Sequence, residues 1–287
     1  MTFIQLLTGI VLMLLWAGRP ILYKPAAKYF PLKMSPAFAS SWSLTGILIS
    51  FPLLGHLLTD HFKEIIFSPF MLIALYKGCS LFYLIKLQQF INKKSTSSMV
   101  FLNFIALALA ALTNNVFFNE GLGCLKVCAI LGFGILGFIF LRLGDAKRLS
   151  SKQKIAFVFT AVVVASYTVS DHLALPKLGW YPYLLFTSLF LFITSLLHGI
   201  SKKDFKNIFK NKTLAYAGIL YTVCEFFLMY ASLNILPVTV ASLFLRLSIP
   251  LVMIYSSLRY HEQSLKNQLT FSLIAIALAL PIILIKS

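Results

Sequence analysis

Residues 220–237 read LYTVCEFFLMYASLNILP, and Glu225 is the one charge between Thr213 and Leu245. The solvent around that carboxylate decides the fold. An apolar run of about 20 residues can cross a hydrocarbon core of about 30 Å as a helix, and such runs recur along the whole 287-residue chain. Hydrophobic residues make up 59% of it and charged residues 11%, with a mean hydropathy of +0.88. A soluble domain carries about 25% charged residues. A helix keeps its backbone hydrogen bonds inside its own segment, so lipid accepts it. The composition predicts an all-α, polytopic membrane protein.

Working outward from that run, the sequence divides into ten predicted transmembrane helices, at 3–23, 35–58, 65–86, 95–117, 121–141, 154–173, 180–199, 213–233, 237–258 and 266–285. The first, Phe3 to Trp16 at its core, lacks a basic leader and a small-residue cleavage site, so it is expected to be a membrane helix and not a removed signal. The connections, such as RLGDAKRLSSKQK and HGISKKDFKNIFKNK, are too short for a soluble domain. The expectation is one integral membrane domain in two halves, residues 1–146 and 147–287.

The net charge of +17 does not point to nucleic acid, because the Lys and Arg residues are scattered over short loops. Most of them lie in or beside the odd-numbered connections. Only Lys63, Lys126, Lys177 and Lys286 lie near the even ones or the C-terminus, and Arg19, Lys77 and Arg246 lie within spans. The positive-inside rule then places the odd connections in the cytoplasm and both termini outside. Cys124 and Cys128, with Glu120 one turn earlier, could gather three ligands, but no fourth stands nearby, so no metal is expected. GxxxxGK, HExxH and GxSxG are absent from the chain. No cofactor and no enzymatic activity are expected. The Lys-, Asn-, Ile- and Phe-rich composition suits an AT-rich bacterial genome and hence the cytoplasmic (inner) membrane, with a eukaryotic organelle as the alternative.

Sliding the chain along itself until Asn92 meets Asn234 also lays Glu120 on Glu262. In each half a polar break precedes an apolar run that ends in an acid. A repeat of five helices is odd-numbered, so its two copies must cross the membrane in opposite directions, as two inverted five-helix repeats.

The stretch MYASLNILPVTVASLFLRLSIPLVMIYSSLRYHEQSLKNQ resembles the second-half signature of the drug/metabolite transporter superfamily, EamA-like branch. The likeness rests on Ala231-Ser232-Leu233, the start from Pro237 to Ser242, Pro250 and Glu262. Trp16 in LLWAGRP resembles the family's aromatic late in the first helix, while SSWS (Ser40 to Ser43) stands where a second-helix Arg is usual. The resemblance implies a transporter working by alternating access, with a cavity lined by helices 1, 3, 4, 6, 8 and 9. It also implies cytoplasmic termini, opposite to the charge count.

A charge inside a span costs about 2.5–3.5 kcal/mol on insertion scales, so each needs a reason. Glu225, near the midplane with Tyr221 one turn away, is the candidate for a coupling proton or a cationic group. Its structural alternative is an ion pair with Arg246. Arg246, following Thr239 and Ser242, suits a carboxylate or phosphate, because guanidinium presents a planar fork. Lys77 lies midway along the third span. Arg19, Tyr83, Asn103 and Tyr167 complete the candidate substrate contacts with Trp16 and Tyr221. Asp171 and His172 are expected at the interface. Glu120 and Glu262 are expected to complement the N-terminal dipoles of the helices they precede. Gly132, Gly134 and Gly137 are expected at close helix contacts.

These residues predict a secondary transporter for a small polar metabolite, an amino acid or related zwitterion or amine, with lipid and a substrate as its partners. The alternatives are an anion exchanger for phosphorylated or nucleotide-linked metabolites, and a membrane-embedded enzyme or lipid-handling protein.

Overall fold

The computed structural model describes the chain except residues 1, 27, 30, 60–61, 119–122, 144, 237, 263–264 and 285–287. Glu120 and Pro237, and the side chains of Thr239 and Ser242, lie outside the described residues. The described residues hold helices and no strand.

Among the described residues, ten long helices carry the fold: α1 (Phe3–Ala26), α2 (Ser35–Leu54), α3 (Phe70–Asn92), α4 (Thr96–Phe118), α5 (Cys124–Leu143), α6 (Ser151–Leu178), α7 (Trp180–Leu197), α8 (Lys212–Asn234), α9 (Val238–Tyr260) and α10 (Leu265–Leu284). Among the described residues, the first eight are long and apolar enough to cross a membrane, and α10 offers a shorter apolar run, Leu265–Pro281. The chain is an all-α integral membrane protein. Its outer surface is apolar, with Phe3, Leu48, Ile49, Leu131, Ile135 and Phe159 all exposed. Water would penalise that belt and lipid does not.

Two boundaries differ from the sequence reading, and both matter for the site. The helix expected at 65–86 runs instead from Phe70 to Asn92, so Gln88, Gln89 and Asn92 lie inside it. The helix expected at 154–173 runs from Ser151 to Leu178. Ser150 and Gln153 form a reciprocal capping box at its start, and Gly179, with φ +77°, ends it.

Packing is mostly between the first five helices and the last five. α1 lies against α8 and α9, α6 against α3 and α4, and α2, α4 and α5 against α7, α9 and α10 respectively. Exchanging each helix of the first five with its counterpart five places later leaves these pairings unchanged. Small residues make the crossings close. A Cβ on Gly78 of α3 would lie 2.5 Å from Phe190 Cβ and 2.7 Å from the Thr187 carbonyl oxygen of α7. Gly132 and Gly137 likewise admit Leu278 of α10 and Ile105 of α4, whereas Gly134 faces open space.

Candidate functional site

One stripe of α3 faces the interior. Lys77, Leu81, Leu84, Ile85 and Gln88 recur at helical spacing and line a cavity of ≈ 250 Å³. Trp16 and Arg19 of α1, Asn103 of α4, Tyr167 of α6, Tyr221 and Glu225 of α8, and Arg246 of α9 complete its wall. Of the site residues read from the sequence, only Tyr83 is elsewhere. It sits on another face of α3, 53% exposed beside Tyr76 in an outer groove, with His198 as its hydrogen-bonding neighbour at 3.4 Å.

The cavity also touches α2 through Ser43 and α7 through Thr187 and Ser188. These hydroxyls gave no signal in the sequence, because Ser and Thr satisfy themselves within a helix. Thr187 Oγ1, for instance, donates to the Tyr183 carbonyl at 2.8 Å.

Among the described residues, two ion pairs cross the cavity. Arg19 Nη1 donates to Glu225 Oε1 at 2.6 Å, and the guanidinium lies 4.9 Å and 4.3 Å from the ring centres of Trp16 and Tyr221. Lys77 Nζ donates to Asp171 Oδ1 at 2.5 Å, and the Tyr183 hydroxyl donates to the same oxygen at 2.8 Å. Lys77 also lies 4.9 Å from the Tyr183 ring centre and 5.8 Å from that of Tyr167. The first pair joins α1 to α8 and the second α6 to α3. The helix exchange that relates the packing therefore maps one bridge onto the other, with acid and base swapped.

The alternative pair between Glu225 and Arg246 does not form, and Arg19 takes the carboxylate instead. With α6 running on to Leu178, Asp171 sits about two turns from the helix end and lines the cavity, while His172 is exposed. Arg246 Nε is buried with no hydrogen-bond partner, and no acid pairs with Arg246 among the described residues. The described wall thus carries Arg19, Lys77 and Arg246 against Glu225 and Asp171, an excess of one positive charge.

Glu262 also makes contacts that its position before α10 does not suggest. His261 takes a left-handed backbone with φ +50°, a conformation uncommon outside glycine, and the turn folds Glu262 back into the protein, where it is 2% exposed. There it caps α4. Its carboxylate accepts from Thr96 N at 2.9 Å, Ser97 N at 3.0 Å and Ser97 Oγ at 2.8 Å, and pairs with Lys24 at the end of α1. Burial pushes this carboxyl up, but the bonds from Lys24 and the Ser97 and Thr96 amides outweigh it and hold it below the usual glutamate range. Lys24 at the end of α1, Thr96 at the start of α4 and Glu262 after α9 all lie in or beside odd-numbered connections, so this cluster ties the odd face of the second half to that of the first.

Residues 152–284 match the model of the EamA-like transporter family, part of the drug/metabolite transporter superfamily. The match spans α6 to α10 and so includes Asp171, Tyr221, Glu225, Arg246 and Glu262. No curated protein matches the chain.

Proposed function

From the premise that residues 152–284 belong to the EamA-like transporter family, which supports a membrane transporter of small molecules, we propose a secondary transporter for an amino acid or related zwitterion. Arg246 carries the proposal. A buried cation without an acid is costly and is expected where a ligand supplies the counter-charge. A substrate carboxylate fills that role, and its ammonium group is received by Glu225 or Asp171. The cavity volume of ≈ 250 Å³ favours a small substrate. It equals about eight waters at roughly 30 Å³ each and falls below the range of about 300–1,000 Å³ typical of drug-sized ligands.

Alternating access is part of the same reading. The two halves, 1–146 and 147–287, would rock about the cavity as inverted repeats, and the Glu262 cluster supports an arrangement with the odd face closed. Protonation of Glu225 would release Arg19 and is the step through which a coupling proton would act. The reading includes a bacterial inner membrane with the odd face toward the cytoplasm, an orientation that the charge bias supports.

The test is flux in proteoliposomes loaded with a panel of radiolabelled amino acids. Uptake of at least one is expected, lost in Arg246→Gln and with an altered pH profile in Glu225→Gln. Undiminished uptake in Arg246→Gln removes the residue on which the reading rests. A second reading, a singly phosphorylated anion, draws on the excess positive charge. It predicts uptake of sugar phosphates in place of amino acids by the same assay.

A further inference from the structure

Below the charged cavity, toward the odd face, α3 continues its inward stripe with amides. Gln88, Gln89 and Asn92 line a second chamber of ≈ 110 Å³, together with Asn103 and Ser248. The two spaces adjoin, since Trp16, Arg19, Ile85, Gln88, Asn103 and Tyr221 belong to both walls. Gln89 and Asn92 are each 1% exposed. All four of their side-chain polar atoms are buried without a hydrogen-bond partner. Buried amides are almost always satisfied by protein or water, so two adjacent unsatisfied ones lining a cavity call for a ligand.

We propose that this chamber is a subsite for the uncharged, hydrogen-bonding end of the transported molecule, a primary carboxamide or a group of the same donor–acceptor chemistry. Each orphaned side chain offers an N–H₂ donor and a carbonyl acceptor. A carboxamide answers both at once. A carboxylate would leave the N–H₂ partners bonded but the carbonyls facing negative charge. An ammonium group would meet Arg19, the one charged side chain among the described residues of this wall. An apolar end would leave every amide unsatisfied. The subsite deepens the proposed function, because Arg246 and the paired acids would hold the zwitterionic head while the side-chain end enters the amide chamber.

The experiment uses purified full-length protein and two kinds of probe. Binding of L-glutamine, L-glutamate and L-norleucine is measured by calorimetry. Glutamine is expected to bind at least tenfold tighter than either of the others. Gln89→Met with Asn92→Leu is expected to abolish that preference while norleucine binding is kept. Equal affinities in the wild type, or a preference that survives in the double variant, overturn the subsite. Propionamide and propionate, which lack the amino-acid head, read the chamber alone by saturation-transfer NMR. A propionamide signal in the wild type and none in the double variant upholds the subsite, even where no amino acid binds and the transport reading falls. No propionamide signal in the wild type overturns the subsite without a variant being needed.

Discussion

Replacing Glu262 with Gln keeps the size of the side chain and removes its charge, which makes it a test of how the two halves are held. The Thr96 and Ser97 amides donate to different oxygens of the carboxylate, Oε1 and Oε2. A carboxamide has one acceptor oxygen, so one of the two N–H groups must face an NH₂. Lys24 loses its counter-ion at the same time. Removing one partner of a buried pair costs about 3–5 kcal/mol. The lower end applies, because the Lys24 side chain keeps 16% exposure and packs 4.1 Å from the Tyr260 ring centre. A cost of about 3 kcal/mol is roughly a hundredfold in an equilibrium constant.

The alternating access proposed above would require this cluster to part when the odd face opens, so the loss would fall on the closed arrangement and shift the balance toward the open one. The shift is read from nitroxides placed at Lys93, beyond the end of α3, and Arg259, in the last turn of α9, in a background without the four native cysteines. Pulsed dipolar spectroscopy is expected to show a longer-distance population in Glu262→Gln that is minor in the parent. An unchanged distance distribution, with only a lowered thermal midpoint, would refute the gate and leave Glu262 a structural cap.

The same carboxylate sets a pH dependence. Its folded-state pKa lies below the unfolded value, so its stabilisation is fully present above about pH 4.3 and is lost as pH falls through the depressed folded value. Thermal midpoints in detergent should therefore fall more steeply below that pH in the parent than in Glu262→Gln. At the cavity, Asp171→Asn strands Lys77, whose side chain is 9% exposed. The expected loss is about 3 kcal/mol, the low end for a buried pair because Asp171 is 30% exposed. The double variant Lys77→Met with Asp171→Leu should recover most of it in the same melts. Arg246→Gln should leave the midpoint unchanged or raised, since no described acid loses a partner. At the α3–α7 crossing, Gly78→Ala forces its Cβ against the Thr187 carbonyl at 2.7 Å. Overpacking of that kind costs about 1–3 kcal/mol, again visible in the melt.

How far the sequence could be read depends on the kind of force involved. Hydropathy reports transfer into lipid one residue at a time, so the helices were legible, and a charge inside a span was conspicuous against that background. Trp16, Arg19, Lys77, Asn103, Tyr167, Tyr221, Glu225 and Arg246 do meet at one cavity. Pairing was not legible, because it depends on which helices touch. Glu225 has Arg246 on the next helix in sequence, yet its partner is Arg19, since α1 packs directly against α8. Helix ends were the other weak point. Hydropathy falls at Gln88, Gln89 and Asn92 just as it would in a loop, and only the packed chain keeps them helical and inside.

The exchange of helices that maps α1–α8 onto α6–α3 gives these errors a common source. Under it the Arg19–Glu225 bridge becomes the Asp171–Lys77 bridge, with the acid moving from α8 to α6 and the base from α1 to α3. Each bridge is neutral in itself, and together they hold both halves to one another across the cavity. Arg246 adds a charge that neither bridge balances. A carboxylate supplies Arg246 with a local counter-charge, and a ligand that also carries an ammonium group, though neutral overall, can compete for Glu225 or Asp171 and loosen a bridge as it binds. Substrate recognition and release of the two halves would then be one electrostatic event. That coupling predicts that a zwitterion and its decarboxylated amine differ in kind as well as in affinity. The zwitterion should shift the nitroxide distances across the halves. The amine, lacking the group that Arg246 requires, should leave them unmoved at any concentration.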